Sequence, residues 1–461
     1  MGKTFIILLF FFKLAGISYG KPNGGCSCQV ILDNIINDIE NKYPGFQTKT
    51  SKDTAGYIEV RKQAITNAAK VTDREACFYV IEKYIRFFKD NHIIFTDHKA
   101  EPMQHISNGV GSFATDNGAS LSGIWKNEQN RITIKIVKQP GKDGIQVHRA
   151  YVDQSAGSAL KRGNAYFDLI GNEKEFYIRK YNSALTTFLL RGRMLKDYLI
   201  EPNGIWIREG PETINNKSIK PEYAINDQFL YRAINSKVYY IGIPAFNIQP
   251  KDFDSLVMHK IIPEIIANKM DHLIIDLRNN SGGNSSFLSL LRIIYEKPFS
   301  IPGDFVFSTQ DMIERYRQSS NPAYQKMLPK LIANPGRFVQ KDSLKLALKD
   351  VYPYPKRVSI LVNENCASST EYFLVLARHS SKVKIYGRHT SGTQDYSELL
   401  GPEKLPCDGY TYMRPTTKSF WTDTQPIDNK GIIPDVDLSA HPDFEWVDIL
   451  KNIKLNNIRR Y

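Results

Sequence analysis

At 461 residues, with 61 Lys and Arg against 48 Asp and Glu and a formal net charge of +13, the chain is long enough for more than one domain. Its basic residues are dispersed rather than gathered into a patch with interleaved aromatics, which argues against nucleic-acid binding, and neither histidine nor cysteine spacing suits a metal site. The surplus suits contact with an acidic envelope surface or with acidic polypeptides, and no cofactor is expected.

The chain opens with Lys3 and an apolar run from Phe5 to Phe12, and Ser18 and Gly20 precede a cut before Lys21. Residues 1–20 therefore read as a secretory signal peptide. That run is too short to cross a bilayer, no later stretch approaches the length needed, and Asn23-Gly-Gly-Cys26 lacks a lipobox leucine. The mature chain is expected to be exported, to a periplasm, cell envelope or extracellular space, with no membrane span. In an oxidising compartment Cys26 or Cys28 is expected to pair with Cys77, since adjacent Cys26 and Cys28 are poorly placed to bridge each other.

Residues 21–104 read as a helical region. Leu32, Ile35, Ile36 and Ile39 mark one helix, stopped by Tyr43-Pro44-Gly45. Thr72-Asp-Arg-Glu75 predicts a capping box, opening a helix with the stripe Val80, Ile81, Tyr84, Phe87 and Phe88. His92 follows in the polar turn Asp90-Asn-His92. Residues 105–235 carry short alternating runs such as Arg131–Val137, Phe176–Arg179 and Gly204–Arg208, which predict a β-rich middle domain.

Residues 236–440 read as an α/β core with βαβ crossovers and a mixed sheet. Val238–Phe246 and His272–Arg278 predict strands separated by a helical stretch, and the second empties into the glycine turn Asn279-Asn-Ser-Gly-Gly283. Pro302–Tyr354 is a partly helical insertion, and residues 441–461 are expected to form a closing helix and basic tail. Val358–Val362 predicts a buried strand that turns at Cys366-Ala-Ser-Ser369 into a helix. A serine there lies beside unpaired N–H groups and the positive end of a helix dipole, both of which stabilise an oxyanion. Ser368 or Ser369 could equally cap that helix, with Glu371 completing a capping box. Gly282-Gly283, taken alone, could be a tight turn.

Together, Asp276-Leu-Arg-Asn-Asn-Ser-Gly-Gly283, Asn365-Cys-Ala-Ser-Ser-Thr-Glu371, Tyr386-Gly-Arg-His-Thr-Ser-Gly392 and Gly431-Ile-Ile-Pro-Asp435 resemble the ordered motifs of the tail-specific (C-terminal processing) serine proteases. That superfamily includes the tricorn core and the retinoid-binding modules of photoreceptors. The resemblance implies that Ser368 is the nucleophile, that Glu371 belongs to the serine motif, and that Gly282, Gly283 and the Ser369 N–H form the oxyanion hole. It fails where the lysine-dyad branch carries its base, because Thr393 stands there and a threonine hydroxyl cannot serve. The tricorn-like branch instead takes a histidine from an N-terminal helical region, which points to His92, with His389 as rival. An imidazole suits the role because it titrates near neutrality. Asp428 falls where tricorn-like proteins place an acidic residue to orient the base, with Glu371 and Asp90 as competitors. The carboxylate-binding loop of a PDZ module is not found in the middle domain. The resemblance implies a secreted serine endopeptidase acting on polypeptides through an acyl-enzyme. The alternative is a non-catalytic peptide- or apolar-ligand-binding protein that keeps the fold.

Overall fold

The computed structural model describes residues 26–99, 120–128, 130–142, 145–156, 160–181, 184–209, 223 and 225–453. The expected signal peptide and the last residues of the basic tail lie outside them. The N-terminal region is helical as expected, with helices at Cys28–Lys42, Phe46–Thr50, Thr54–Ala68 and Arg74–Arg86. Ser27 caps the first and Asp53 the third, each side chain taking a free N–H of the first turn. The fourth begins one residue later than the sequence suggests, because Asp73 rather than Thr72 accepts the Ala76 N–H (2.8 Å). Its Phe78, Ile81, Tyr84 and Ile85 pack with Ile31, Leu32, Ile35 and Ile39 of the first helix in one buried cluster. Two disulfides fasten this layer. Cys28–Cys77 joins the first and fourth helices, and Cys26–Cys407 ties the start of the region to a loop more than three hundred residues away. Cys366 is free and buried.

The β-rich middle closes into an eight-stranded barrel: Gly123–Asn127, Ile132–Lys142, Ile145–Ser155, Ala165–Gly171, Glu175–Lys180, Leu190–Leu195, Tyr198–Glu201 and Gly204–Arg208. All neighbours are antiparallel, and the last strand pairs with the first, so no edge is left open. Trp125, Ile134, Phe167, Leu169 and Trp206 fill its interior. Between Lys180 and Leu190 the chain detours so that Leu185–Thr186 pairs with Ile94–Asp97, the strand that follows His92. The barrel also reaches the serine loop, where the Arg191 N–H donates to Asn365 Oδ1 (2.7 Å) and Asn365 Nδ2 donates to the Arg191 carbonyl (2.9 Å).

The α/β core is built on a six-stranded sheet in the order Leu230–Ala233, Val238–Gly242, His272–Asp276, Arg357–Val362, Val383–Gly387, Val436–Asp437. The last five run parallel and the first is antiparallel. Helices on its faces bury both sides of the central strands, which accounts for their near-continuous apolar sequences. His272–Asp276 and Arg357–Val362 are direct neighbours in register. Their following loops, one holding Gly282-Gly283 and the other Ser368, therefore emerge side by side at the carboxyl edge of the sheet. Open parallel sheets place their ligand sites at that edge. A second sheet binds the layers together: Tyr410–Lys418 pairs with Tyr396–Lys404 along one edge, and along the other with Ile94–Asp97 near its start and Phe305–Phe307 of the 302–354 insertion near its end. No helix among the described residues is long and apolar enough to cross a membrane.

Candidate active site

Val358–Val362 drives the chain into the Ser368 turn, and the helix Ser369–Ala377 starts immediately after it. The capping-box pattern of Ser368 and Glu371 is present. A cap residue, however, ordinarily has extended backbone, whereas Ser368 lies at φ 56°, ψ −123°. That conformation costs a non-glycine residue about 1–3 kcal/mol, and capping gives no reason to adopt it. A sharp strand-to-helix turn of this kind lifts a serine hydroxyl clear of the sheet.

The two turns are locked together through Asn280. Its carbonyl accepts the Ala367 N–H (3.1 Å) and the Thr370 hydroxyl (2.9 Å), while its Oδ1 accepts the Gly282 N–H (2.9 Å) and its Nδ2 donates to the Ile243 carbonyl (2.9 Å). Ser369 Oγ adds a bond to the Gly283 carbonyl (2.8 Å). Gly282 has φ +100°, and a Cβ placed on it would lie 2.8 Å from Ser368 Cβ and 2.9 Å from the Ser369 nitrogen. The close approach of the turns therefore requires glycine. Among the three residues expected at the oxyanion hole the N–H groups divide. That of Gly282 is taken by Asn280, whereas those of Gly283 and Ser369 meet no acceptor among the described residues. Gly282→Ala is expected to lower the rate of fluorophosphonate labelling by at least about a hundredfold, the loss seen on removing one oxyanion donor. Labelling at the wild-type rate would show that the two turns need not touch.

Glu371 is fully buried. Its Oε1 accepts the Thr390 hydroxyl and the Gly392 N–H (2.7 Å). Its Oε2 accepts the N–H (2.9 Å) and hydroxyl (3.0 Å) of Thr393 and the Ser368 N–H (3.2 Å). Burial raises its pKa, against the opposing pull of these donors. Glu371 thus pins the Thr390–Thr393 turn under the serine. Thr393 accepts the Ser368 N–H on its Oγ1 (3.0 Å) and is itself buried.

His92 is buried just beyond the fourth helix. Its backbone N–H donates to Asp90 Oδ1 (2.9 Å), and its Nδ1 lies 2.6 Å from the carbonyl of Tyr396. A carbonyl can only accept, so Nδ1 carries the proton, and in the neutral ring Nε2 is left as the basic atom. Asp428, expected to receive Nδ1, is engaged elsewhere: its Oδ2 meets Lys49 Nζ at 2.6 Å, and its Oδ1 accepts the Asp395 N–H (3.2 Å). Asp90 accepts the Tyr43 hydroxyl (2.7 Å) on its other oxygen. His389 makes only a local contact, Nδ1 to the Thr390 carbonyl (2.8 Å). Asp435 ties the end of its turn to the strand Val383–Gly387, its carboxylate accepting the Ile385 N–H (2.8 Å).

The segment Thr393–Tyr396 links the backbone of Ser368 to the imidazole of His92. One end is bonded to Ser368 and the other to His92, and three extended residues span at most about 11 Å. Sequence reasoning did not single out Lys49, Asp395 or Tyr396. The Tyr396 contact is made by a backbone oxygen and carries no side-chain signature. No group of histidine, cysteine and acidic residues among the described residues could hold a metal ion.

A parallel-sheet core presenting these two turns, covered by a helical layer and a barrel, has a counterpart among solved structures. A crystal structure of a CPAF mutant matches it with a TM-score of 0.52 at 14% identity, covering 92% of this chain and 96% of that one. Residues 237–438 match the model of peptidase family S41. Proteins named "Probable CtpA-like serine protease" are similar: one from Staphylococcus epidermidis is 24% identical over 360 residues, 77% of this chain and 59% of its own length. Another from Staphylococcus aureus is 28% identical over 357 residues, 77% of this chain and 58% of its own length. The chain thus spans less than two thirds of these relatives.

Proposed function

We propose that the chain is an exported serine endopeptidase in which Ser368 is the nucleophile and His92 the general base. The observation that carries this reading is the Thr393–Tyr396 segment, which bonds to Ser368 at one end and fixes the His92 tautomer at the other. In this mechanism His92 Nε2 takes the Ser368 hydroxyl proton as Oγ attacks a peptide carbonyl. The Gly283 and Ser369 N–H groups hold the oxyanion, and His92 then protonates the leaving amine. Water, deprotonated by the same imidazole, hydrolyses the acyl-enzyme. Gly282 keeps the turns in contact. Glu371 and Asp428 act through their neighbours, Glu371 by anchoring the turn beneath the serine and Asp428 by holding the segment that orients His92. The names of the CtpA-like relatives support a polypeptide substrate. Two disulfides among the described residues support export, since such bonds persist in oxidising compartments.

The mature chain is expected to cleave casein or a peptide library and to be blocked by a fluorophosphonate. Digests that stay intact while the protein binds apolar ligands in titration would favour the binding-module alternative.

A further inference from the structure

Behind His92 lies a buried charged group built from three separate parts of the chain. Lys49, on the short helix Phe46–Thr50, places its ammonium 2.6 Å from Asp428, with both side chains largely buried, and 5.5 Å from the centre of the Tyr396 ring. Asp428 and Asp395 then hold each other's backbone. Asp428 Oδ1 accepts the Asp395 N–H (3.2 Å), while the Asp395 carboxylate accepts the N–H groups of Ile427 (3.0 Å) and Asp428 (2.9 Å). The next residue is Tyr396, whose carbonyl receives His92 Nδ1. From the other side, Asn429 Nδ2 donates to the Lys89 carbonyl (2.6 Å) at the head of the histidine turn. The Tyr43 ring packs on Tyr396 (5.5 Å between centroids) while its hydroxyl donates to Asp90.

The titratable groups facing one another here are Tyr43, Lys49, Asp90, His92, Asp395, Tyr396 and Asp428. Lys49 is the cation that faces all three carboxylates. Burial, reinforced by Asp90 and Asp395, pushes the Asp428 pKa well up, and Lys49 opposes that rise. An ion pair so enclosed is costly to break from one side, since the partner left behind is a buried, uncompensated charge.

We propose that Lys49 is a positioning residue of the serine–histidine site. By pairing with Asp428 it holds the Asp395–Tyr396 peptide where the Tyr396 carbonyl can fix the His92 imidazole. This inference rests on the proposed peptidase reading and extends it to a residue in no family motif quoted above.

The test compares Lys49→Met, Lys49→Arg and the double variant Lys49→Met/Asp428→Asn, with fluorescently labelled casein as substrate. Lys49→Met is expected to lower kcat by roughly 10- to 100-fold, the scale of loss for a misplaced catalytic group, with little change in KM. Lys49→Arg keeps the positive charge and should restore part of the loss. The double variant should recover most of it, because it removes the unpaired carboxylate while the asparagine oxygen can still accept the Asp395 N–H. It also carries the test should Lys49→Met fail to fold. The downfield proton resonance of His92 Nδ1 should shift in Lys49→Met and return in the double variant. Folded Lys49→Met with wild-type kcat and an unmoved resonance would overturn the proposal, as would a folded double variant as inactive as His92→Ala. Should Ser368→Ala retain turnover, the peptidase reading itself fails. If Ser368→Ala and His92→Ala are inactive while folded Lys49→Met is normal, only the role of Lys49 fails.

Discussion

Ser368→Ala is expected to abolish both casein cleavage and fluorophosphonate labelling while the protein stays folded. The hydroxyl is the only group the substitution removes, and the bonds that the Ser368 N–H donates to Glu371 Oε2 and Thr393 Oγ1 are made by backbone that alanine keeps. Stability measurements add a discriminating arm. If Ser368 were chiefly a helix cap, removing its side chain would cost about 1 kcal/mol, with glycine only a few tenths worse than serine. Its backbone at φ 56°, ψ −123° instead belongs to a region that glycine occupies cheaply and other residues do not. Ser368→Gly should therefore raise the melting temperature as it destroys activity, a trade expected where strain is held for function. Labelling that persists in Ser368→Ala, or a lower melting temperature for Ser368→Gly, would return Ser368 to the role of cap.

Much of this arrangement could be read from the chain because it is local. Val358–Val362 is an apolar run because the strand is covered on both faces, and the turn after it follows from the onset of helical spacing at Glu371. Gly282-Gly283 read as a glycine turn at a strand end, whereas the neighbour that demands glycine there, with Ser368 Cβ 2.8 Å from a Cβ built on Gly282, comes only from the fold. The pairing of Cys28 with Cys77 was within reach because both lie on helices marked by their apolar stripes. What stayed hidden is non-local or made by backbone. Lys49 and Asp428 are 379 residues apart and look like ordinary charged residues until folding buries them together. Cys407 gives no sign of its partner Cys26. The barrel strands announce themselves by alternation, but closure depends on Gly204–Arg208 finding Gly123–Asn127, a pairing that no periodicity encodes. A carbonyl acceptor such as that of Tyr396 is present at every residue, and only the fold selects one.

His92→Ala should slow casein cleavage by roughly two to four orders of magnitude, the usual contribution of a positioned general acid–base. His389→Ala should stay within about threefold of wild type, since this histidine's Nδ1 reaches only its neighbour's carbonyl. Alanine at position 92 also leaves the buried Tyr396 carbonyl without its donor, which costs about 1–3 kcal/mol in stability and confuses lost chemistry with lost structure. His92→Gln separates the two effects. Its amide can still donate to the Tyr396 carbonyl, but it has no nitrogen that accepts a proton near neutrality. The glutamine variant should therefore recover much of the melting temperature lost in His92→Ala and none of the rate. Recovery of rate with glutamine would mean that His92 serves as a structural donor, and a collapse of activity in His389→Ala would move the base to that residue. If His92 is the base, the rate should follow the presence of a basic nitrogen at position 92 rather than the stability of the turn.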